Sequence, residues 1–486
     1  MNTNLSVLKP EAVWKNFQQL NKIPRPSKKE GKIIQFMKEF GEKLHLETMV
    51  DEVGNVIIRK PATKGMEDRK GVILQAHLDM VPQANSDKKF NFETDPIEAY
   101  IDGEWVTANG TTLGADNGMG VAAAMAILES KDIQHGPIEA LFTIDEETGM
   151  TGAFNLKPGL LNGEILLNMD SEDEGELYIG CAGGVNANIT YHYNELSTPE
   201  NHTGLRIMLS GMKGGHSGID IPLYRANANK LLFRFLKKAA NDFEIKIAEI
   251  EAGSLRNAIP REAWAIFAVE KSKLSGLKNW VNEFEKIVKD EYKTSDPDLK
   301  AVIEEVSLPE KTMNPKAQKD FINAVYACPN GVIRMSNDME GLVETSTNMA
   351  IVTVKNGVAT VKNLLRSSVD TAKQDLAETT KSVFEMIGAN VELDGDYPGW
   401  KPNPQSPILQ EMKNIYSQKF GKIPAIKAIH AGLECGLLGG VYPHWDMISF
   451  GPTIRYPHSP DEKVHIESVK KFWDFLIETL KNIPKK

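Results

Sequence analysis

ILQAHLDMVP, residues 73–82, starts as a buried strand and ends on two ionisable side chains, His77 and Asp79, just ahead of a proline. A mostly apolar run closed by polar residues is the mark of a central strand covered on both faces of a parallel sheet. Period-2 spacing puts His77 and Asp79 on the same side wherever extended geometry persists. The same grammar recurs on either side of the apolar helix GMGVAAAMAILES, in the strands PIEALFTI, EILLNMD and, near the C-terminus, HWDMISFGP. A final amphipathic helix, SVKKFWDFLIETLKNI, completes the pattern. Strands alternating with helices in this way predict an α/β layer with a mostly parallel sheet, to which both ends of the chain contribute.

Ahead of this layer, residues 11–20 read as an amphipathic helix. RPSKKEGKIIQFMKEF places Ser27 and Glu30 in capping-box spacing before a second one. HLETMVDE and VIIRK around Gly54-Asn55 read as two neighbouring strands or a hairpin. Between the two halves of the layer the texture changes to alternating strands (GLRIMLSG, EAWAIFAVE) and long amphipathic helices (ANKLLFRFLKKAA), which predicts an inserted α+β domain. The expected organisation is a catalytic domain over residues 1–184 and 395–486, interrupted by an insert over 185–394. LRNAIPREAWAIFAV and STNMAIVTVKNGVATV echo each other faintly within that insert.

The 486 residues exceed what one core usually serves. A net charge of −10 speaks against nucleic acid or an anionic membrane as partner. No apolar run is long enough to span a bilayer, and the N-terminus shows no secretory pattern, so a cytoplasmic location is expected. Cys181, Cys328 and Cys435 are an odd number at wide spacing, which predicts reduced thiols in the core or lining a pocket.

What ends each strand of the α/β layer carries the chemistry. His77 and Asp79 end one; Asp116 sits in LGADNGMG; Asp145, Glu146 and Glu147 end another; Asp170 and His458 follow two more. In open α/β sheets these carboxyl ends form the ligand crevice. Any one acid reads most simply as a turn residue or helix cap. Jointly, several carboxylates on one rim repel unless protons or cations intervene. Two imidazoles and three carboxylates suit a two-metal site in which one carboxylate bridges, with a further acid left over as base. The glycines of LGADNGMG fit neither dinucleotide nor P-loop spacing, and no G-x-S-x-G elbow is present.

HLDMVP, TTLGADNGMG, DEETGMTGA, NMDSEDEG and GPTIRYPHSPDEKVHIES closely resemble the bimetallic metallopeptidases that include carboxypeptidase G, peptidase T and the carnosinases. KPATKGME, GCAGG, MKGGHSG, LRNAIPREA, YPGW and IHAGLECGL extend the resemblance end to end, toward the branch that cleaves aminoacyl-histidine dipeptides. The resemblance implies His77 and Asp170 on one metal, Glu147 and His458 on the other, Asp116 bridging, Glu146 as general base and Asp79 orienting His77. It implies two divalent ions, Zn²⁺ first and Co²⁺ or Mn²⁺ as alternatives, and a dipeptide substrate. The insert is implied to be a lid and homodimerisation domain whose His216 polarises the scissile carbonyl in the neighbouring subunit, while Asn257 and Arg366 hold the substrate. Glu434, in a short turn-forming segment, is expected to receive the substrate's free α-amino group or else to cap a helix. Other hydrolases on the same scaffold, namely cysteinylglycine or broad-specificity dipeptidases, tripeptidases and aminoacylases, are the alternatives. A non-catalytic peptide-binding homologue would lack the base or a ligand.

Overall fold

A computed structural model describes residues 3–486. The chain divides into two compact units, one formed by the residues up to Gly180 together with Pro402–Ala428 and Leu433–Lys486, the other by Cys181–Lys401 and Ile429–Gly432. The divisions fall at 180/181 and 401/402, where the sequence reading has 184/185 and 394/395, and residues 429–432 return to the second unit.

The first unit is built on an eight-stranded sheet in the order 47–50, 56–60, 138–143, 72–77, 165–168, 446–449, 176–181, 425–429. The strands Ile138–Thr143, Val72–His77, Ile165–Asn168 and Asp446–Ser449 run parallel at its centre. Antiparallel neighbours flank them, including the 47–50/56–60 hairpin. Every residue of the strands at 72–77, 138–143 and 165–168 is buried, as the uninterrupted runs require of strands covered on both faces. The helix Ala115–Glu129 is apolar on all sides, and from Asn117 to Leu128 it is buried throughout. It packs against the Val72–His77 strand and the helix Glu11–Leu20. The last helix, Ile466–Lys481, buries Val469, Phe472, Phe475, Leu476 and Leu480.

One local expectation is corrected. The helix Gly31–Lys43 forms, but Ser27 and Glu30 do not close a capping box at its start. The Ser27 hydroxyl donates to Asp79 (2.8 Å), and the Glu30 carboxylate accepts from the amides of Lys28 (2.8 Å) and Asp145 (3.1 Å). Both side chains serve contacts distant in sequence, which outweigh the local cap.

The second unit holds a nine-stranded antiparallel sheet in the order 300–306, 202–210, 263–270, 246–252, 343–355, 358–367, 183–192, 390–397, with 331–335 paired to 343–355. Burial alternates along 183–192 and 202–210, the pattern of a sheet with one covered face. Helices Ala228–Phe243, Leu274–Glu291, Pro315–Ala327 and Asp370–Glu385 supply the cover, around a core that includes Ile189, Ile207, Phe235, Phe267, Phe284 and Val361. The two echoing stretches put their strands, 263–270 and 343–355, on either side of 246–252. Among the described residues no helix is long and apolar enough to cross a membrane.

Candidate metal centre

Parallel register brings the polar residues to one rim. His77, the last residue of its strand, pairs with Thr143, and Gln75 pairs with Asn168, so the strands at 138–143 and 165–168 end alongside it. They release Glu146 and Glu147, in the short helix Glu146–Gly149, and Asp170 at the same edge. Asp116 occupies the start of the 115–129 helix with non-helical dihedrals (φ −80°, ψ 112°), which turn it away from the helix path. His458 stands at φ +60° in the loop after Ile454–Arg455.

Asp116 joins two groups of side chains. Its Oδ1 lies 3.2 Å from His77 Nε2, which is itself 3.3 Å from Asp170 Oδ1. Its Oδ2 lies 3.2 Å from His458 Nε2, which is 2.9 Å from Glu147 Oε2. Each triad can hold a cation, and Asp116 is common to both. Asp79, wholly buried, sits behind: Oδ1 is 3.3 Å from His77 Nδ1, and its two oxygens accept from the amides of Glu146 (3.0 Å) and Glu147 (3.3 Å). One carboxylate thus supports both an imidazole and the turn that carries two more acids.

The charges at the rim are unbalanced in a definite direction. Burial opposes charge on His77, yet Asp170, Asp116 and Asp79 draw its pKa well above the ordinary value. Hydrogen bonds to Asp116 and Glu147 push His458 up to about 11. Burial works against ionised Asp116, but His458 and His77 hold it far below the usual carboxylate range. Burial lifts Asp170 to about 6 and raises Glu146 well above its ordinary value. Asp79 is held down at about 2 despite burial, by His77, the Glu146 amide and Ser27.

This donor set fits divalent metal. The surrounding carboxylates favour positive charge on both imidazoles, and a bound divalent ion would supply that charge. Ligands about 2.0–2.1 Å from a tetrahedral ion stand about 3.3 Å apart, close to the separations between the donors here. Glu147 Oε1 is buried with no hydrogen-bond partner, as an atom left for a metal would be. Nitrogen and oxygen donors without thiolate suit Zn²⁺, Mn²⁺ or Co²⁺.

The remaining predicted residues divide between the units. Glu434 belongs to the first unit and is 1% exposed; its Oε2 accepts from Gln75 (2.7 Å) and Thr143 (2.9 Å), its Oε1 is buried without a partner, and burial raises its pKa to about 7. His216, Asn257 and Arg366 lie in the second unit. His216 Nδ1 accepts from the amides of Gly218 (3.1 Å) and Ile219 (3.0 Å), which leaves the proton of the neutral ring on Nε2. Ser217 donates its amide to the Asn257 carbonyl (2.8 Å), and Gly215–His216 pairs with Ala258–Ile259, so the two loops form one piece. Arg366 is a buried strand residue whose Nη1 donates to the Tyr397 hydroxyl (3.1 Å). Sequence reasoning passed over Asn117, which donates to Asp170, and the buried pair Arg25 and Glu462. The acid in HSPDE, four residues after His458, was the one available signal for Glu462.

Imidazoles and carboxylates gathered around one shared acid at the ends of parallel strands are the donor set of a two-metal hydrolase. Residues 73–482 match the description Peptidase family M20/M25/M40, and the chain belongs to that family. It is 45% identical, over the full length of both chains, to the cytosol non-specific dipeptidase of Escherichia coli strain K12. Among solved structures, aminoacylhistidine dipeptidase from Vibrio alginolyticus superposes with a TM-score of 0.96 at 47% identity, with 99% of each chain covered. An aminopeptidase from Bacillus cereus shares the fold, at a TM-score of 0.57 and 16% identity over 98% of this chain and 99% of its own.

Proposed function

We propose that this metallopeptidase is a dipeptidase that cleaves Xaa-His dipeptides, β-alanyl-histidine-like substrates included, with two divalent ions per chain. The observation that carries the reading is Asp116, whose two oxygens face two different imidazoles, each with its own second carboxylate. His77 and Asp170 would hold one ion and Glu147 and His458 the other, with Zn²⁺ first and Co²⁺ or Mn²⁺ as alternatives. Such a pair of ions, when bound, supplies Lewis acidity that polarises the scissile carbonyl and acidifies water.

The chain's own groups do the rest. Glu146 accepts the proton from the attacking water on its carboxylate and returns it to the leaving amine, a role for which burial has raised its affinity for protons. Asp79 keeps the His77 ring oriented and anchors the turn that presents Glu146. His216, with its proton on Nε2, acts as a hydrogen-bond donor to the developing oxyanion of the partner subunit's site in a homodimer formed through the second unit. Asn257 and Arg366 hold the substrate and its carboxylate, and Glu434 faces the α-amino group. The protein works in the cytoplasm.

A broader dipeptide range is the second reading, favoured by the name of the Escherichia coli relative. A panel of β-alanyl-histidine, α-aminoacyl-histidines, cysteinylglycine, tripeptides and N-acyl amino acids decides, run before chelation, after it, and with each metal added back. The expected result is highest kcat/KM on Xaa-His, lost on chelation and regained with metal. Equal rates on unrelated dipeptides select the second reading; activity unaffected by complete metal removal overturns both.

A further inference from the structure

Arg25 and Glu462 are opposite charges, each 2% exposed, and neither belongs to the triads that can hold a cation. Burying two such groups is costly unless each is fully hydrogen-bonded, and here the bonds go to backbone. Arg25 Nη1 donates to the carbonyls of Leu78 (3.0 Å) and Asp79 (3.1 Å), the two residues after His77. Its Nη2 donates to the carbonyl of Gly114, two residues before Asp116. One guanidinium therefore spans the His77 loop and the Asp116 loop.

Glu462 works on the same loop from its amide side. Its Oε2 accepts from the amides of Leu113 (2.7 Å) and Gly114 (2.9 Å), and its Oε1 from those of Ala115 (2.7 Å) and Asp116 (3.2 Å). These four consecutive N–H groups lie at a helix start, where backbone donors otherwise lack partners. Glu462 itself sits four residues after His458, so a third ligand loop is drawn into the arrangement.

The sequence makes room for this in a specific way. A Cβ on Gly114 would come within 2.6 Å of Arg25 Nη2 and 3.0 Å of the Met80 sulfur; one on Gly118 would come within 2.6 Å of Nη2 and 2.9 Å of Phe17 Cε2. Gly114 also stands at φ +69°, where a side chain is strained. Two glycines of LGADNGMG thus leave space for a guanidinium.

We propose that Arg25 and Glu462 are positioning residues that set the separation of Asp116 from His77 and His458, and hence the affinity and coordination of the shared metal pair. The proposal rests on the two-ion reading given above.

Its test uses the full-length protein, with wild type and His77→Ala as references, and the variants Glu462→Gln, Arg25→Lys and Gly118→Ala. The glutamine amide turns a donor toward two backbone donors. A lysine ammonium lacks the planar fork that spans three carbonyls. The alanine methyl displaces the guanidinium without changing any charge. Zn²⁺ titration against a competing chelator should show affinity weakened by about 10- to 100-fold in each folded variant, the range typical of groups supporting metal ligands. The visible spectrum of the Co²⁺-loaded protein should shift, while KM for the dipeptide is unchanged and kcat recovers at saturating metal. Folded variants with wild-type Zn²⁺ affinity and Co²⁺ spectrum, and only a lower Tm, overturn the proposal. If Glu462→Gln or Arg25→Lys does not fold, Gly118→Ala and the other decide by the same two readouts. Absence of Zn²⁺ binding by wild type would instead refute the two-ion reading, a distinct result.

Discussion

Asp79 shows how much one buried side chain is asked to do. It touches a histidine, a serine and two backbone amides, so the orientation of His77 and the approach of Glu146 depend on one carboxylate. Asp79→Ala should weaken metal binding by about 10- to 100-fold, less than His77→Ala, which removes a ligand outright; equilibrium titration with Zn²⁺ compares the two. Glu146→Gln should retain both ions by elemental analysis and lose about 10²- to 10⁴-fold in kcat, the usual worth of a general base; loss of metal would mark Glu146 as a ligand. His430, in the second unit, gives a pH prediction. It is buried with Nε2 2.7 Å from the Ser346 hydroxyl, and burial pushes its pKa down from 6.5 to about 3, with Arg366 and His216 acting in the same sense. Between those values the unfolded chain binds a proton that the folded chain refuses. Its contribution to stability is therefore complete above pH 6.5 and is lost as pH falls toward 3. Urea midpoints measured at pH 7 and pH 5 should differ less in His430→Asn than in wild type.

At the scale of elements, periodicity and tertiary demand can be separated. The helices at 11–20 and 466–481 each bury the apolar stripe that their spacing marks. The 115–129 helix has no stripe to read, and only its burial explains its composition. Capping follows the same division. Asn314 caps the helix Pro315–Ala327 by accepting from the Ala317 amide (2.9 Å), and its distant contact, Nδ2 donating to the Asn194 carbonyl (2.9 Å), leaves the capping oxygen free. Asn314→Ala should cost about 1 kcal/mol in chemical denaturation and leave kcat/KM as it was. Ser27 and Glu30 have the right spacing for a cap and do not form one, because Asp79 and the Asp145 amide claim them.

For the whole molecule, the proposed homodimer makes a prediction that neither chain makes alone. His216→Ala and Glu146→Gln should each be nearly inactive. If His216 serves the partner's site, mixed dimers contain one site with both groups intact and one with neither. Random exchange of the two inactive variants should then restore about a quarter of wild-type activity, since half the dimers are mixed and each has one working site of two. Steady-state assays after mixing and subunit exchange, with sedimentation to establish the dimer, give the measurement. No recovery after demonstrated exchange would assign His216 to the site of its own chain or to none.

The parallel layer was legible in the sequence, as were the ionisable groups that close its strands; which of those groups are ligands was read only through resemblance to relatives. Layer and groups were legible because buried strands need unbroken apolar runs, and because ionisable groups ending such runs are conspicuous. His216 and Asn257 were legible only through resemblance to relatives, since a glycine-flanked histidine and a loop asparagine carry no periodic signal. Arg25 and Asn117 were not legible, and Glu462 only as an acid four residues after His458. Their partners are backbone carbonyls and amides, or a single carboxylate, from segments as much as 349 positions away. Sequence determined which chemical groups stand at the rim, because composition and spacing are local properties. Tertiary structure alone decided which of them face each other, which oxygens of Asp116 each imidazole meets, and which buried charges hold the loops in place. Those relations exist only once distant backbone segments are brought within hydrogen-bonding distance.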